Sequence, residues 1–162
     1  MRKKMLVSPR SDLGGAIKAV FCGAINNSGE PLLATAAGTG DNTEVQGASI
    51  DRLGYDSAVV VVAYNTSLTA DKTLSIAVEI EDSADNSSWD TAVVLQAATV
   101  EETGTAGTGS NNTGVVEIPV DLRGYSRYVR FNFTPDLSHS GTDTVDGICV
   151  ALLGGADKLA AA

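Results

Sequence analysis

The sequence predicts an all-β protein, a jelly-roll-like β-sandwich with an extended N-terminal arm. Three observations predict it. Apolar residues recur at every second position in segment after segment, the period of a strand with one buried face. Clusters of Gly, Ser, Asn and Asp separate those segments and supply the positive φ and local side-chain bonds of turns. Helical spacing shows only over residues 13–21, where Gly14 and Gly15 weaken it.

The arm comes first. Residues 1–18 hold Arg2, Lys3, Lys4, Arg10 and Lys18 against Asp12 alone, and Pro9 interrupts them. Residues 41–102 hold twelve acids against Arg52 and Lys72. A basic end on an acidic body reads as an arm, residues 1–16, followed by one domain, residues 17–162. The arm either lies on an acidic surface or is a solvated terminus. Its only apolar run is Met5, Leu6 and Val7, short of the ~7–15 residues of a secretory signal. Synthesis in the cytoplasm is therefore expected.

The strands follow. Residues 74–80 put Leu74, Ile76, Val78 and Ile80 on one face. Residues 115–122 do the same with Val116, Ile118, Val120 and Leu122. Pro119 lacks a ladder donor, which predicts an edge strand or a departure from the sheet. Residues 127–134 turn Val129, Phe131 and Phe133 inward and Tyr128, Arg130 and Asn132 outward. Residues 58–64 and 148–153 are apolar on both faces, as expected of central strands or of strands covered by another subunit. Weaker strands are predicted over residues 45–50 and 91–97, and polar connections over 82–88, 101–114 and 136–144. Residues 50–55, IDRLGY, echo residues 120–125, VDLRGY, at an offset of seventy. Each copy reads as strand, Asp, a tight Gly-Tyr corner, then strand. The expectation is two pseudo-symmetric halves, with the Tyr ring buried and its hydroxyl bonded.

Composition excludes most chemistry. The chain has 162 residues, one histidine, two cysteines and a net charge of −9. Such a balance lacks the basic face that nucleic-acid binding needs. No apolar run approaches the ~20 residues of a membrane-spanning helix, so no membrane partner is expected. Cys22 and Cys149 read as two small buried hydrophobes, with a bridge between them as the minor alternative. His139 sits between Ser138 and Ser140 in a polar loop, where adjacent side chains point apart and make no triad. The acids Glu79, Glu81, Asp82, Asp85 and Asp90 surround a turn that is either a calcium loop or a solvated turn; it lacks the ordered spacing of a calcium loop. Trp89 is read as packing, or else as a platform for a sugar. No catalytic residue, cofactor or metal site is expected.

Residues 120–159, with IDRLGYDSAVVVVAYN and EIEDSADNSSWDTA before them, resemble the capsid decoration (cement, head-stabilisation) proteins of tailed bacteriophages. The resemblance spans roughly residues 45–159. It implies a jelly-roll-like protein on the virion surface that binds the major capsid protein from outside, commonly as a homotrimer, and is assembled in a bacterial host. Apolar strands on both faces agree with association between copies. The candidate contact residues are Arg2, Lys3, Lys4 and Arg10 of the arm, and Tyr128 and Arg130 of the outward stripe. The alternative is a carbohydrate-binding β-sandwich of a virion surface or tail-associated protein.

Overall fold

The computed structural model describes residues 17–25, 35–36, 42–139 and 142–155. Among them lie β1 (Lys18–Ile25), β2 (Thr35–Ala36), β3 (Ile50–Asp51), β4 (Ser57–Leu68), β5 (Thr73–Ser83), β6 (Val93–Thr103), β7 (Ser110–Asp121), β8 (Tyr128–Leu137) and β9 (Thr144–Gly154). One sheet runs β1-β9-β4-β7, with β2 also on β9, and the other runs β3-β8-β5-β6.

The order has a simple physical origin. Four antiparallel pairs are nested along the chain: β1 with β9, β3 with β8, β4 with β7, and β5 with β6. Together they form one long ribbon. Rolling the ribbon brings β9 against β4 and β8 against β5, which makes a jelly roll. The expected fold class is the observed one.

Between the sheets lies the core that the alternation predicts. Leu74, Ile76, Val78 and Ile80 of β5 and Val129, Phe131 and Phe133 of β8 face Val60 and Val62 of β4 and Cys149, Ala151 and Leu153 of β9. Burying each larger side chain contributes roughly 1.5–3 kcal/mol. The two strands apolar on both faces, β4 and β9, are the central strands of their sheet, and β7, with Pro119, is an edge.

The echo is explained by the ribbon. Residues 52–56 carry the chain from β3 to β4, and residues 122–127 carry it from β7 to β8. These are the two strands of the ribbon turning the same corner side by side. Asp51 Oδ1 accepts from Leu53 N at 3.0 Å, and Asp121 Oδ1 accepts from Arg123 N at 3.1 Å. Tyr55 N donates to Arg52 O, and Tyr125 N to Leu122 O. The corners also bond each other, through Arg52 N to Arg127 O and Leu122 N to Asp56 O. Their middle residues are exchanged. Leu122 is fully buried and Arg123 exposed, whereas Leu53 is 68% exposed and Arg52 sends its guanidinium to the carbonyls of Ser126 and Tyr125. Both Tyr rings pack against the core. Gly54 takes a φ of 87°, which a side chain would strain.

Several expectations need correction. Residues 18–21 of the helix-like stretch belong to β1, because pairing with β9 outweighs a weak helical spacing broken by two glycines; residues 13–16 lie outside the described residues. The polar run 101–114 is mostly strand, and the turn shrinks to residues 104–109. Its polar side chains bond across the end of the sandwich: Glu102 accepts from the Tyr64 hydroxyl at 3.1 Å and from Asn112 at 2.9 Å. Gly114 leaves room for the Tyr64 phenol, which a Cβ there would overlap. The run 45–50 is a strand only at its ends. Val45 bridges Phe133 and Ile50 pairs with Val129, while Gly47 presses against the Phe131 backbone and Ala48 N reaches Cys22 O. That segment joins the edge of one sheet to the edge of the other. The arm of residues 1–16, with Arg2, Lys3, Lys4 and Arg10, lies outside the described residues.

Candidate binding faces

The two outer faces of the sandwich differ in chemistry. On the β1-β9-β4-β7 sheet, strand register aligns outward side chains into rows. One row is Ala19, Leu152, Val59 and Pro119. The next is Phe21, Val150, Val61 and Glu117. A third holds Ile148, Ala63 and Val115. Glu117 is the single charge in these rows. Phe21 is 50% exposed and Val115 55%, and the central side chains are half-buried by their neighbours. A shallow hollow of about 540 Å³ continues the face at one corner, lined by Val59, Pro119, Asp56, Asp121 and Arg123 among others. Sequence reasoning found the middle of this face in β4 and β9. It missed the rim at Ala19 and Phe21, because that segment shows only a weak helix-like spacing and no strand period.

The outer face of the β3-β8-β5-β6 sheet is polar and acidic along β5 and β8, while its edge strand β6 adds exposed Val94 and Val100 opposite Glu79 and Ser75. Register sets Glu81 opposite Arg130 and Glu79 opposite Asn132. Arg130 Nε donates to Glu81 Oε2 at 2.6 Å, and its guanidinium lies over the Trp89 ring, 4.2 Å from the centroid. The alternation predicts Asn132 outward, in a stripe with Tyr128 and Arg130. It points outward but is buried, because residues 45–48 cover it. Its Oδ1 accepts from Gly47 N at 3.0 Å and its Nδ2 donates to Glu81 Oε2 at 2.8 Å. The Arg130 hydrogen bond, with help from Asn132, holds the Glu81 carboxyl below the usual range. Burial, then Glu81 and Glu79, push Glu44 up. Arg130 therefore spends its charge and one ring face of Trp89 inside the molecule. Tyr128 stands at the end of the stripe beside Arg127, which is 5.1 Å from its ring centroid and pairs with Asp51 at 2.7 Å.

The turn before Trp89 uses its acid internally. Asp85 Oδ1 accepts from Ser87 N at 2.9 Å, Ser88 N at 2.8 Å and Ser83 Oγ at 3.0 Å. These donors hold its carboxyl well below the usual range. Among the described residues no three His, Cys, Asp or Glu side chains gather as metal ligands. His139 is less free than a solvated loop residue. Its Nδ1 lies 3.7 Å from Oδ1 of the fully buried Asp143, which also accepts from Thr69 N at 2.9 Å. Ser138 is engaged as well, its Oγ accepting from Thr73 N. Cys22 and Cys149 are both buried and free, in line with two small buried hydrophobes, and lie on neighbouring strands.

No protein-family profile matches the chain, and no curated protein matches it. Solved structures of similar fold include infectious bursal disease virus, Gx strain, at 11% identity and a TM-score of 0.48 over 88% of this chain and 34% of the viral one. The VP2 subviral particle of the same virus matches at 8% identity and 0.45 over 85% of this chain and 32% of VP2. A xylan-binding domain from Paenibacillus barcinonensis matches at 11% identity and 0.43, over 86% of this chain and 83% of that one. The chain spans about a third of the length of the viral proteins it matches. These are capsid and sugar-binding structures, not catalytic domains. They correct the resemblance over residues 45–159: the viral likeness in fold is to the capsid protein of a virus without a tail, not to a tailed-bacteriophage decoration protein, and the bacteriophage setting falls with it. The chain is a jelly-roll β-sandwich similar in fold to a viral capsid protein.

Proposed function

We propose that this chain is a non-catalytic structural protein of a virus particle, which docks the apolar outer face of the β1-β9-β4-β7 sheet against protein: neighbouring copies in a homotrimer and, with them, the major capsid protein at the capsid surface. The observation that supports it is the alignment of two apolar rows across four strands and a third across three, with one charge among them. Four strands at about 4.8 Å and three rows at about 6.8 Å give a face of roughly 300–400 Å² once side-chain width is added. A stable interface buries about 800 Å² per partner. The face thus supplies the apolar centre and needs a charged rim. Arg2, Lys3, Lys4 and Arg10 are proposed as part of that rim, opposite acids of the next subunit. The virus particle as the setting rests on analogy between folds, since jelly rolls serve capsids and lectins alike.

Light scattering on the wild type and on a Val61→Lys, Val150→Lys double variant tests the proposal. The wild type is expected as an oligomer, and the variant as a folded monomer whose melting temperature is lowered by the two opposed lysines and by loss of association. A wild type that stays monomeric at all concentrations and does not co-sediment with capsid shells overturns the proposal. Specific binding on a glycan array would favour the sugar-binding alternative, which the Arg130 stack on Trp89 disfavours.

A further inference from the structure

The chain has two cysteines, 127 positions apart, and the fold sets them side by side. β1 pairs with β9 through Phe21 opposite Val150 and Gly23 opposite Cys149, so Cys22 is the extra residue of a β-bulge. Both Cys22 and Gly23 then stand across from Cys149. Cys22 is 2% exposed and Cys149 0%, so both side chains enter the core from the same face of the sheet. Gly23 is the Cα partner of Cys149, and the bulge turns the adjacent Cys22 side chain toward the same Cys149, the side-chain approach that a disulfide needs. The two thiols are within hydrogen-bonding reach of each other. That bond holds Cys22 below the usual thiol range, and the same bond together with burial pushes Cys149 up.

We propose that Cys22 and Cys149 are a modification site, a dithiol that closes to an intramolecular disulfide in the presence of a disulfide oxidant such as oxidised glutathione, and so clasps β1 to β9. The thiolate of Cys22 attacks one sulfur of oxidised glutathione. The S–S bond breaks, and one glutathione leaves with the electron pair and takes up a proton. Cys149, as thiolate, then attacks the Cys22 sulfur of the mixed disulfide and releases the second glutathione. Two thiols are oxidised, and one disulfide is reduced to two thiols. β1 is the outermost strand of its sheet, so lifting it exposes Cys22 without opening the rest of the core. The clasp spans most of the chain and restrains the unfolded state accordingly. It also fixes Ala19 and Phe21, the rim of the apolar face, although the inference does not depend on what that face binds.

The full chain is incubated with oxidised glutathione, denatured and assayed for free thiols and intact mass. The expected result is loss of both thiols together and a mass lower by two hydrogen atoms, with no glutathione adduct. The melting temperature should rise by roughly 5–15 °C, and amide exchange in residues 18–25 should slow at least as much as in β5. Cys22→Ala and Cys149→Ala should each abolish the mass change. Two titratable thiols after oxidation, a lasting glutathione adduct on either cysteine, or a disulfide between chains would each overturn the inference.

Discussion

Replacing Asn132 by alanine tests how the polar face is held. The side chain has two partners, and each loss can be assigned a size. Gly47 N is buried and donates to Asn132 Oδ1 at 3.0 Å. Without an acceptor this amide forfeits about 1–3 kcal/mol. The bond from Nδ2 to Glu81 is charge-assisted, but Glu81 keeps Arg130 and its side chain is 15% exposed, so about 1 kcal/mol is a fair share. The sum, about 2–4 kcal/mol, lowers the melting temperature by roughly 5–12 °C in a domain of this size. Urea denaturation should show a lower midpoint with an unchanged slope. Asn132→Asp separates the two bonds, because it keeps the acceptor for Gly47 and loses the donor to Glu81. At neutral pH it sets a second carboxylate against the first. Its deficit should shrink on acidification, as the new carboxyl takes a proton and can donate. Glu81 in the wild type has a lowered folded pKa, so its own contribution is full above the unfolded value and fades as pH falls through the folded one. An Asn132→Ala protein within about 0.5 kcal/mol of the wild type would refute the account.

Other outcomes follow from the same contacts. Gly114→Ala forces a methyl into the Tyr64 phenol and should destabilise by about 1–3 kcal/mol in thermal melts. Burial and the carboxylates of Glu102 and Glu101 push the Tyr64 phenol up to about 12. The stability it contributes is therefore full below its unfolded value and is lost as pH rises through that of the folded state; a tyrosinate absorbance titration should show a late step that Tyr64→Phe removes. Deleting residues 1–10 should weaken association between copies at low salt and leave the melting temperature of the body nearly unchanged, with the difference fading as salt screens the arm.

Legibility in the sequence followed the strength of the local signal. The inward set of β5, β7 and β8 was readable residue by residue, because a strict two-residue period admits one buried face. Pro119 was enough to mark an edge. The strands that failed were those whose identity depends on distant partners. β1 has no period of its own and is a strand because β9 offers it a ladder. The polar ends of β6 and β7 outrun the core and are held by Glu102, Asn112 and Tyr64, which lie far apart in sequence. Asn132 sat at an outward position and was buried all the same, since nothing in the alternation says that residues 45–48 will return to cover it. The Cys22–Cys149 contact was open in the sequence only as an alternative, for the same reason. It depends on a bulge in β1, and a bulge leaves no trace in a hydrophobic pattern.

The division of labour between the faces follows from the ribbon itself. Rolling one antiparallel ribbon gives two sheets that share a core but have independent outer surfaces. Inward positions are constrained by packing in both sheets, so they are equally apolar. Outward positions are free to differ, and they do. Glu79, Glu81, Asn132 and Arg130 compensate one another on one side, and the buried bond from Asn132 to Gly47 is satisfied within the molecule. Along β5 and β8 that face is satisfied within the molecule, and exposed valines are confined to its edge strand β6. The other face has no such closure: Phe21, Val59, Val61, Val115, Val150 and Leu152 present apolar area that no polar neighbour offsets. Apolar area left open at the centre of a sheet is reduced only by a second surface of similar chemistry. Under the proposed docking, the asymmetry would give the assembly a direction, with the acidic sheet outward and the apolar sheet against its partner. Reversing that orientation would bury a cluster of carboxylates around one paired arginine, and desolvation would oppose it.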